Sequence, residues 1–277
     1  MPFTSFNKSA QSHFRKFANL KASTGLSSAL RWEAMRLAAK LGFPGPELWK
    51  LHPRATAYPL YPRLRGSSDM MVFDQIFFFE EYSCLKDIDE PRIVIDLGAN
   101  VGFSAAYFLN AFPKSKVIAV EPDELNVEMC RKNLSPYGER VLILHGAAWS
   151  RTTKLRLLKG VFGDGLEWAT QVGEIDEGEV AIGSVQAWDV GSLIDMSGGS
   201  TVDLLKIDIE KGELSVFGES ATQWLHRVRN ICIELHGEDC EKVFFAALKD
   251  FDYKLSRSGE LTICRNLRPL RNHPRSN

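Results

Sequence analysis

From Arg92 onward, short apolar runs alternate with stretches whose apolar positions recur every three to four residues. Strands are predicted over 93–96, 117–121 and 141–144, with helices over 103–111 and 124–134 between them. Alternation of this kind implies parallel βαβ units. The pattern resumes with strand 204–207, a helix near 214–217, strand 231–234 and a helix over 241–248. In between, 154–158 reads as a strand, and the glycine-rich, acidic stretch 160–184 reads as a loop. Two short strands at 253–255 and 261–264, joined through Arg257-Ser258-Gly259, suggest a terminal antiparallel hairpin.

The first part of the chain differs in kind. Phe14, Phe17, Ala18 and Leu20, then Leu30, Met35, Leu37, Ala38 and Leu41, recur at helical spacing, with Ser23-Thr24-Gly25 as the break. Gly42-Phe43-Pro44-Gly45-Pro46 ends the second helix, and three prolines between 52 and 62 make a linker. The segment Gly66-Ser67-Ser68-Asp69 then leads into an apolar helix or strand through Tyr82. The expected organisation is a helical extension and linker over 1–66 and an α/β domain over 67–277.

Composition fits a globular protein: 277 residues, 44% hydrophobic and 25% charged. Its apolar runs fall short of the roughly 20 residues of a membrane helix. The net charge of −1 conceals a division: 1–66 carries eleven basic residues against two acids, a balance of +9, while 67–253 carries 17 against 32, or −15. From Lys254 on, six basic residues face only Glu260, a balance of +5. The basic ends read as solvated helix faces and a tail, with peripheral contact to an anionic membrane as the alternative. The acidic middle argues against a nucleic-acid partner. Five cysteines with no C-x-x-C spacing read as free thiols, which points to a cytoplasmic setting.

The chemistry concentrates where strand 93–96 runs into Asp96 and then Gly98-Ala99-Asn100-Val101-Gly102. Gly98 permits a tight turn, and Gly102 opens a helix whose N–H groups and dipole favour an anionic ligand group. Asp96 is placed to accept from a ligand amine or hydroxyl. Glu121, 23 residues after Gly98, stands where a Rossmann-like domain places the carboxylate that grips ribose hydroxyls. The loop lacks the third glycine of G-x-G-x-x-G, so nothing cradles a pyrophosphate. The ligand is read as a mononucleoside, and a nicotinamide-dependent oxidoreductase becomes the disfavoured alternative.

Four blocks carry a family resemblance: 95–102, Val120-Glu121-Pro122-Asp123, the stretch Leu204-Leu205-Lys206-Ile207-Asp208-Ile209-Glu210-Lys211-Gly212-Glu213, and Ile233-Glu234-Leu235-His236. In these the chain resembles the FkbM-type S-adenosylmethionine-dependent methyltransferases, a class I family. The resemblance implies a Rossmann-like, mostly parallel sheet with a terminal antiparallel hairpin. It implies S-adenosyl-L-methionine as cofactor, with Asp96, Gly98, Ala99, Asn100 and Gly102 on the methionine part and Glu121 on the ribose. Asp123, Gly146, Ala147 and Ala148 would border the adenine, Pro122 would be among the cofactor-binding residues, and Ser68 and Asp69 would help cover the cofactor. The family has glycine directly after the second acid; this chain has Lys211 there and glycine at 212.

Asp208 ends the fourth core strand and His236 follows the fifth, so both are expected at the carboxyl edge beside the cofactor. Transfer to a hydroxyl requires a positioned acceptor and removal of its proton. His236 is the leading base, with Asp208 orienting it or serving as base itself, and Glu210 beside them. The plainer reading makes His236 a strand-end cap and the acids partners of the helix that follows. Asp208, Glu210 and Glu234 as Mg²⁺ ligands form a further alternative, although no metal is predicted. Trp149, Trp168 and Trp188 are read as buried aromatics rather than a sugar platform. The expected function is O-methylation of a sugar, glycan or secondary metabolite, with a non-catalytic cofactor- or glycan-binding protein as the rival. The N-terminal helices would cover the cofactor or form a homodimer surface.

Overall fold

The helical spacing of Leu30, Leu37 and their neighbours yields α1 (Leu26–Lys40), preceded by Gly25 at φ +93°. This computed structural model describes residues 21–22, 24–40, 47–64, 66–158, 171–173 and 183–270, so the helix expected over 14–20 and the stop at 42–46 lie outside it. The chain divides into two units, Met1–Ser83 and Cys84–Asn277, and the boundary expected at 66 falls inside the first. In that unit the proline-rich segment is pinned by bridges between Leu48 and Arg63 and between Leu51 and Leu60. The apolar stretch through Tyr82 begins as helix α2 (Asp69–Phe73) and continues as a π turn over Asp74–Phe78, burying Phe73, Ile76 and Phe77.

In the second unit the expected alternation holds. The chain runs β1 (Ile93–Leu97), α3 (Phe103–Ala111), β2 (Lys116–Glu121), α4 (Glu124–Leu134) and β3 (Val141–His145). After an insertion come β8 (Leu204–Ile207), α6 (Glu213–Val216), β9 (Ile231–Glu234), α7 (Glu238–Ala247), β10 (Phe251–Ser258) and β11 (Leu261–Pro269). The seven-stranded sheet has the order β10-β11-β9-β8-β1-β2-β3. β3, β2, β1, β8 and β9 are parallel, and β11 runs antiparallel between β9 and β10. Strands covered by helices on both faces must be apolar throughout, which is why Ile95, Leu97, Leu205, Ile207, Ile231 and Ile233 are all buried. The hairpin is longer than expected: β10 extends to both sides of 253–255 with half-buried and exposed residues in rough alternation, and β11 runs on past Cys264 to Pro269.

Chain order reverses between β1 and β8, the place where open α/β sheets bind ligands. After β2, α4 starts cleanly: Asp123 caps it by accepting from the Asn126 N–H at 3.1 Å, Glu124 lies in its first turn, and Arg131 and Lys132 in its last.

The insertion corrects one expectation. β4 (Ala147–Ala148), β5 (Thr153–Leu158), β6 (Gln171–Gly173) and β7 (Gly183–Trp188) form a second sheet, ordered β4-β7-β5-β6. β6 falls inside the stretch read as loop, and β7 begins at its end. Only Val185 and Ala187 turn inward from β7, an alternation too short to stand out against acidic flanks. Helix α5 (Val190–Met196), capped by Asp189, was not foreseen. Trp149 and Trp188 are half-buried against the two apolar clusters, and Trp168 lies outside the described residues.

Candidate active site

At the reversal point Asp96 and Lys206 are register partners on neighbouring parallel strands, both buried. Lys206 Nζ lies 3.0 Å from Asp96 Oδ1 and donates to the carbonyls of Gly98 at 2.7 Å and Leu97 at 3.3 Å. The Ser104 hydroxyl donates to Asp96 Oδ2 at 2.6 Å. Although charge-paired, Asp96 Oδ1 has no well-directed hydrogen bond, nor does the buried Oδ1 of Asn100. Gly98 turns at φ +76°, and a Cβ there would stand 1.8 Å from the carbonyl oxygen of Asp208, so the loop and the end of β8 are in backbone contact. The N–H groups of Gly98 and Ala99 both donate to Val120, and that of Gly102 to Ala99. These three therefore shape the loop, while α3 has no side-chain cap.

Glu121, at the end of β2, is buried and accepts from the Asn100 and Asp123 N–H groups, each at 2.9 Å, and from the Asn126 amide at 3.4 Å. Burial pushes its carboxyl up to about 7, against the pull of those donors. Gly146 donates its N–H to the Glu121 carbonyl at 2.9 Å, and Trp188 fills the space a Cβ would need. Ala147 and Ala148 are buried in β4. The Asp123 carboxylate is occupied in capping α4, and the Pro122 carbonyl contacts His145 Nε2 at 3.0 Å. Ser68 and Asp69 belong to the first unit, where the buried Asp69 carboxylate takes the Arg63 guanidinium at 2.8 Å and the Arg63 N–H at 2.7 Å.

The chain leaves β8 through a constrained turn. Glu210 and Lys211 have φ of +43° and +70°, and Gly212 has an ordinary −64°. The left-handed conformation thus sits at 211, where the family has glycine, and Lys211 adopts it despite its Cβ. The turn directs Asp208, Glu210 and Glu213 toward His236. His236 Nδ1 lies 2.7 Å from Oε1 of fully buried Glu213, whose Oε2 accepts from Cys240 Sγ at 3.4 Å. Nε2 faces Asp208 and Glu234, each at 3.7 Å, and Glu210 at 3.9 Å. Burial lowers the imidazole's affinity for a proton, but the Glu213 bond and the surrounding carboxylates outweigh it and hold the pKa at about 9. Glu210 is shifted upward, by burial first. Among the described residues Asp208, Glu234 and His236 gather closely enough to hold one metal ion; Glu210 is not in that group.

Residues 96–255 match the methyltransferase FkbM domain. The chain belongs to this family. It is 25% identical over 198 residues to the AMB antimetabolite synthetase AmbE of Pseudomonas aeruginosa, covering 60% of this chain and 9% of that protein. It is 31% identical over 90 residues to the ribosomal RNA small subunit methyltransferase H of Corynebacterium glutamicum, covering 32% of this chain and 26% of that one. Both relatives are thus matched over a minor part of their own length. Among solved structures, the methyltransferase FkbM of Methylobacillus flagellatus aligns with TM-score 0.47 and 16% identity over 66% of this chain and 45% of that one. An rRNA methylase from Streptococcus thermophilus aligns with TM-score 0.41 and 12% identity over 69% and 96%.

Membership in this family implies S-adenosylmethionine, and the residues present fit it. The unfilled acceptors on Asp96 and Asn100 suit an ammonium group, and the buried Glu121 carboxylate suits a diol. Sequence reasoning overlooked Lys206, Ser104 and Glu213 as site residues. Lys206 did leave a signal, as the one charge inside an otherwise apolar strand.

Proposed function

We propose that this FkbM-family chain is an S-adenosylmethionine-dependent O-methyltransferase whose acceptor is a hydroxyl of a sugar, glycan or secondary metabolite. The observation that carries this reading is the backbone contact between Gly98 and Asp208, which sets the cofactor loop directly beside the carboxylate and imidazole cluster. Bound S-adenosylmethionine supplies an electrophilic sulfonium methyl. Asp96 accepts from the methionine ammonium and Glu121 from the ribose hydroxyls. His236 Nε2 takes the proton of the acceptor hydroxyl, while Glu213 holds the ring through Nδ1. Asp208 and Glu210 orient the acceptor beside that nitrogen. The family and the partial likeness to an antimetabolite synthetase support a small metabolite; the balance of −15 over 67–253 weighs against RNA.

The test is mass spectrometry of cell-extract metabolites after incubation with the protein and methyl-labelled S-adenosylmethionine. A labelled methyl ether, absent with Asp96→Ala, is the expected result. Label found only on nitrogen, on carbon or on RNA would overturn the hydroxyl assignment.

A further inference from the structure

A lysine buried inside a parallel strand demands a reason, because its charge must be matched there. Lys206 meets that demand chiefly at the end of β1 and the loop after it: Asp96 at 3.0 Å on one side, and the carbonyls of Leu97 and Gly98 at 3.3 and 2.7 Å on the other. Asp208, 3.9 Å away, is a more distant second charge. Strand register fixes this arrangement, since Asp96 pairs with Lys206 and Leu97 with Ile207. Two donors therefore hold the Asp96 carboxylate, Ser104 on Oδ2 and Lys206 by charge on Oδ1. Oδ1, which has no hydrogen-bond partner beyond the charge contact with Lys206, keeps spare acceptor capacity. Apart from this contact Asp96 would be an unbalanced buried anion.

We infer that Lys206 is the positioning residue for the methionine end of the cofactor, acting through the carboxylate of Asp96. The assignment rests on the reading that the 98–102 loop holds S-adenosylmethionine. Lys206 touches neither cofactor nor acceptor in this scheme. It holds the Asp96 carboxylate in place, and its donations to the Leu97 and Gly98 carbonyls anchor the ammonium for that contact. Burial disfavours its own charge, but Asp96 and Asp208 more than restore it, so the ammonium persists at working pH.

Two ligands separate this role from a purely structural one. S-adenosylhomocysteine carries the amino-acid end; 5′-methylthioadenosine keeps the adenosine and lacks that end. Calorimetry on Lys206→Met and on Lys206→Gln is expected to show at least a tenfold loss for S-adenosylhomocysteine and less than a twofold change for methylthioadenosine. Equal losses for both ligands, or unchanged S-adenosylhomocysteine affinity, would overturn the assignment. Should both single variants fail to fold, the charge-balanced Asp96→Asn, Lys206→Met protein is compared with Asp96→Asn alone. Equal S-adenosylhomocysteine affinities uphold the inference, and a further loss overturns it. If the wild-type protein binds neither ligand, the cofactor reading itself fails, a result distinct from any of these.

Discussion

The imidazole Nδ1 of His236 lies 2.7 Å from Oε1 of Glu213, a carboxylate with no solvent exposure. A buried anion at that distance fixes the ring and its tautomer, and it also holds the proton on Nε2. With the pKa near 9, His236 is charged at neutral pH and becomes a base only above it. The rate for a hydroxyl acceptor should therefore rise with pH and level off above about 9, instead of near 6.5. Glu213→Gln keeps a hydrogen-bond partner but removes the charge, and is expected to move that limb down by about 1–2 pH units. A kcat/KM profile of both proteins checks it. A limb that stays in place would remove Glu213 from this role.

Lys211 occupies a left-handed conformation at φ +70° that glycine adopts without strain. Such a conformation costs a non-glycine residue about 1–2 kcal/mol, partly offset by the extra chain freedom glycine has when unfolded. Lys211→Gly should raise stability by about 1 kcal/mol, or a few degrees in Tm. Thermal unfolding of the two proteins measures this. The neighbouring Gly212→Ala should bring no such gain, because φ there is an ordinary −64° and an added Cβ would meet the Ile209 carbonyl at 3.0 Å.

These residues also show how far the sequence could be read. The core strands were legible because helices cover both faces, so Leu204 to Ile207 and Ile231 to Glu234 stand out as apolar runs at their observed bounds. Asp96, Glu121, Asp208 and His236 were legible because strand ends in a doubly wound sheet converge on one edge. The second sheet was not, since β6 is three residues long and glycine-flanked composition resembles a loop. Lys206 and Glu213 were hidden for a different reason. Their roles arise from pairing across 110 and 23 positions of chain, with Asp96 and His236, which only the register of β1 on β8 and the turn after β8 bring about.

The group formed by Asp208, Glu234 and His236 raises the question of a metal. An imidazolium already places one positive charge among those carboxylates, so a divalent ion would have to displace a proton bound with a pKa of about 9. Methyl transfer is expected to change less than twofold after EDTA treatment and gel filtration. A loss restored by Mn²⁺ or Mg²⁺, and abolished in Asp208→Asn, would instead assign the cluster to a cation.

Glu121 yields a prediction whose sign is opposite to that of an ordinary surface acid. Burial raises its folded pKa to about 7, above the unfolded 4.5, so the folded state binds the proton more tightly. The stability this contributes is complete below pH 4.5 and is lost as pH rises through 7, a change on the order of 3 kcal/mol. Ribose hydroxyls donate to the ionised carboxylate, so cofactor binding pulls the other way. Affinity for S-adenosylhomocysteine should rise by up to about tenfold per pH unit below 7 and flatten above it. Calorimetry between pH 5.5 and 7.5, beside thermal unfolding of the ligand-free protein over the same range, tests both halves. In Glu121→Gln both slopes should vanish between pH 5.5 and 6.5, and above that only the fall in stability owed to the raised pKa of His236 should remain; if only the binding slope disappears below pH 6.5, the stability change there belongs to another buried group.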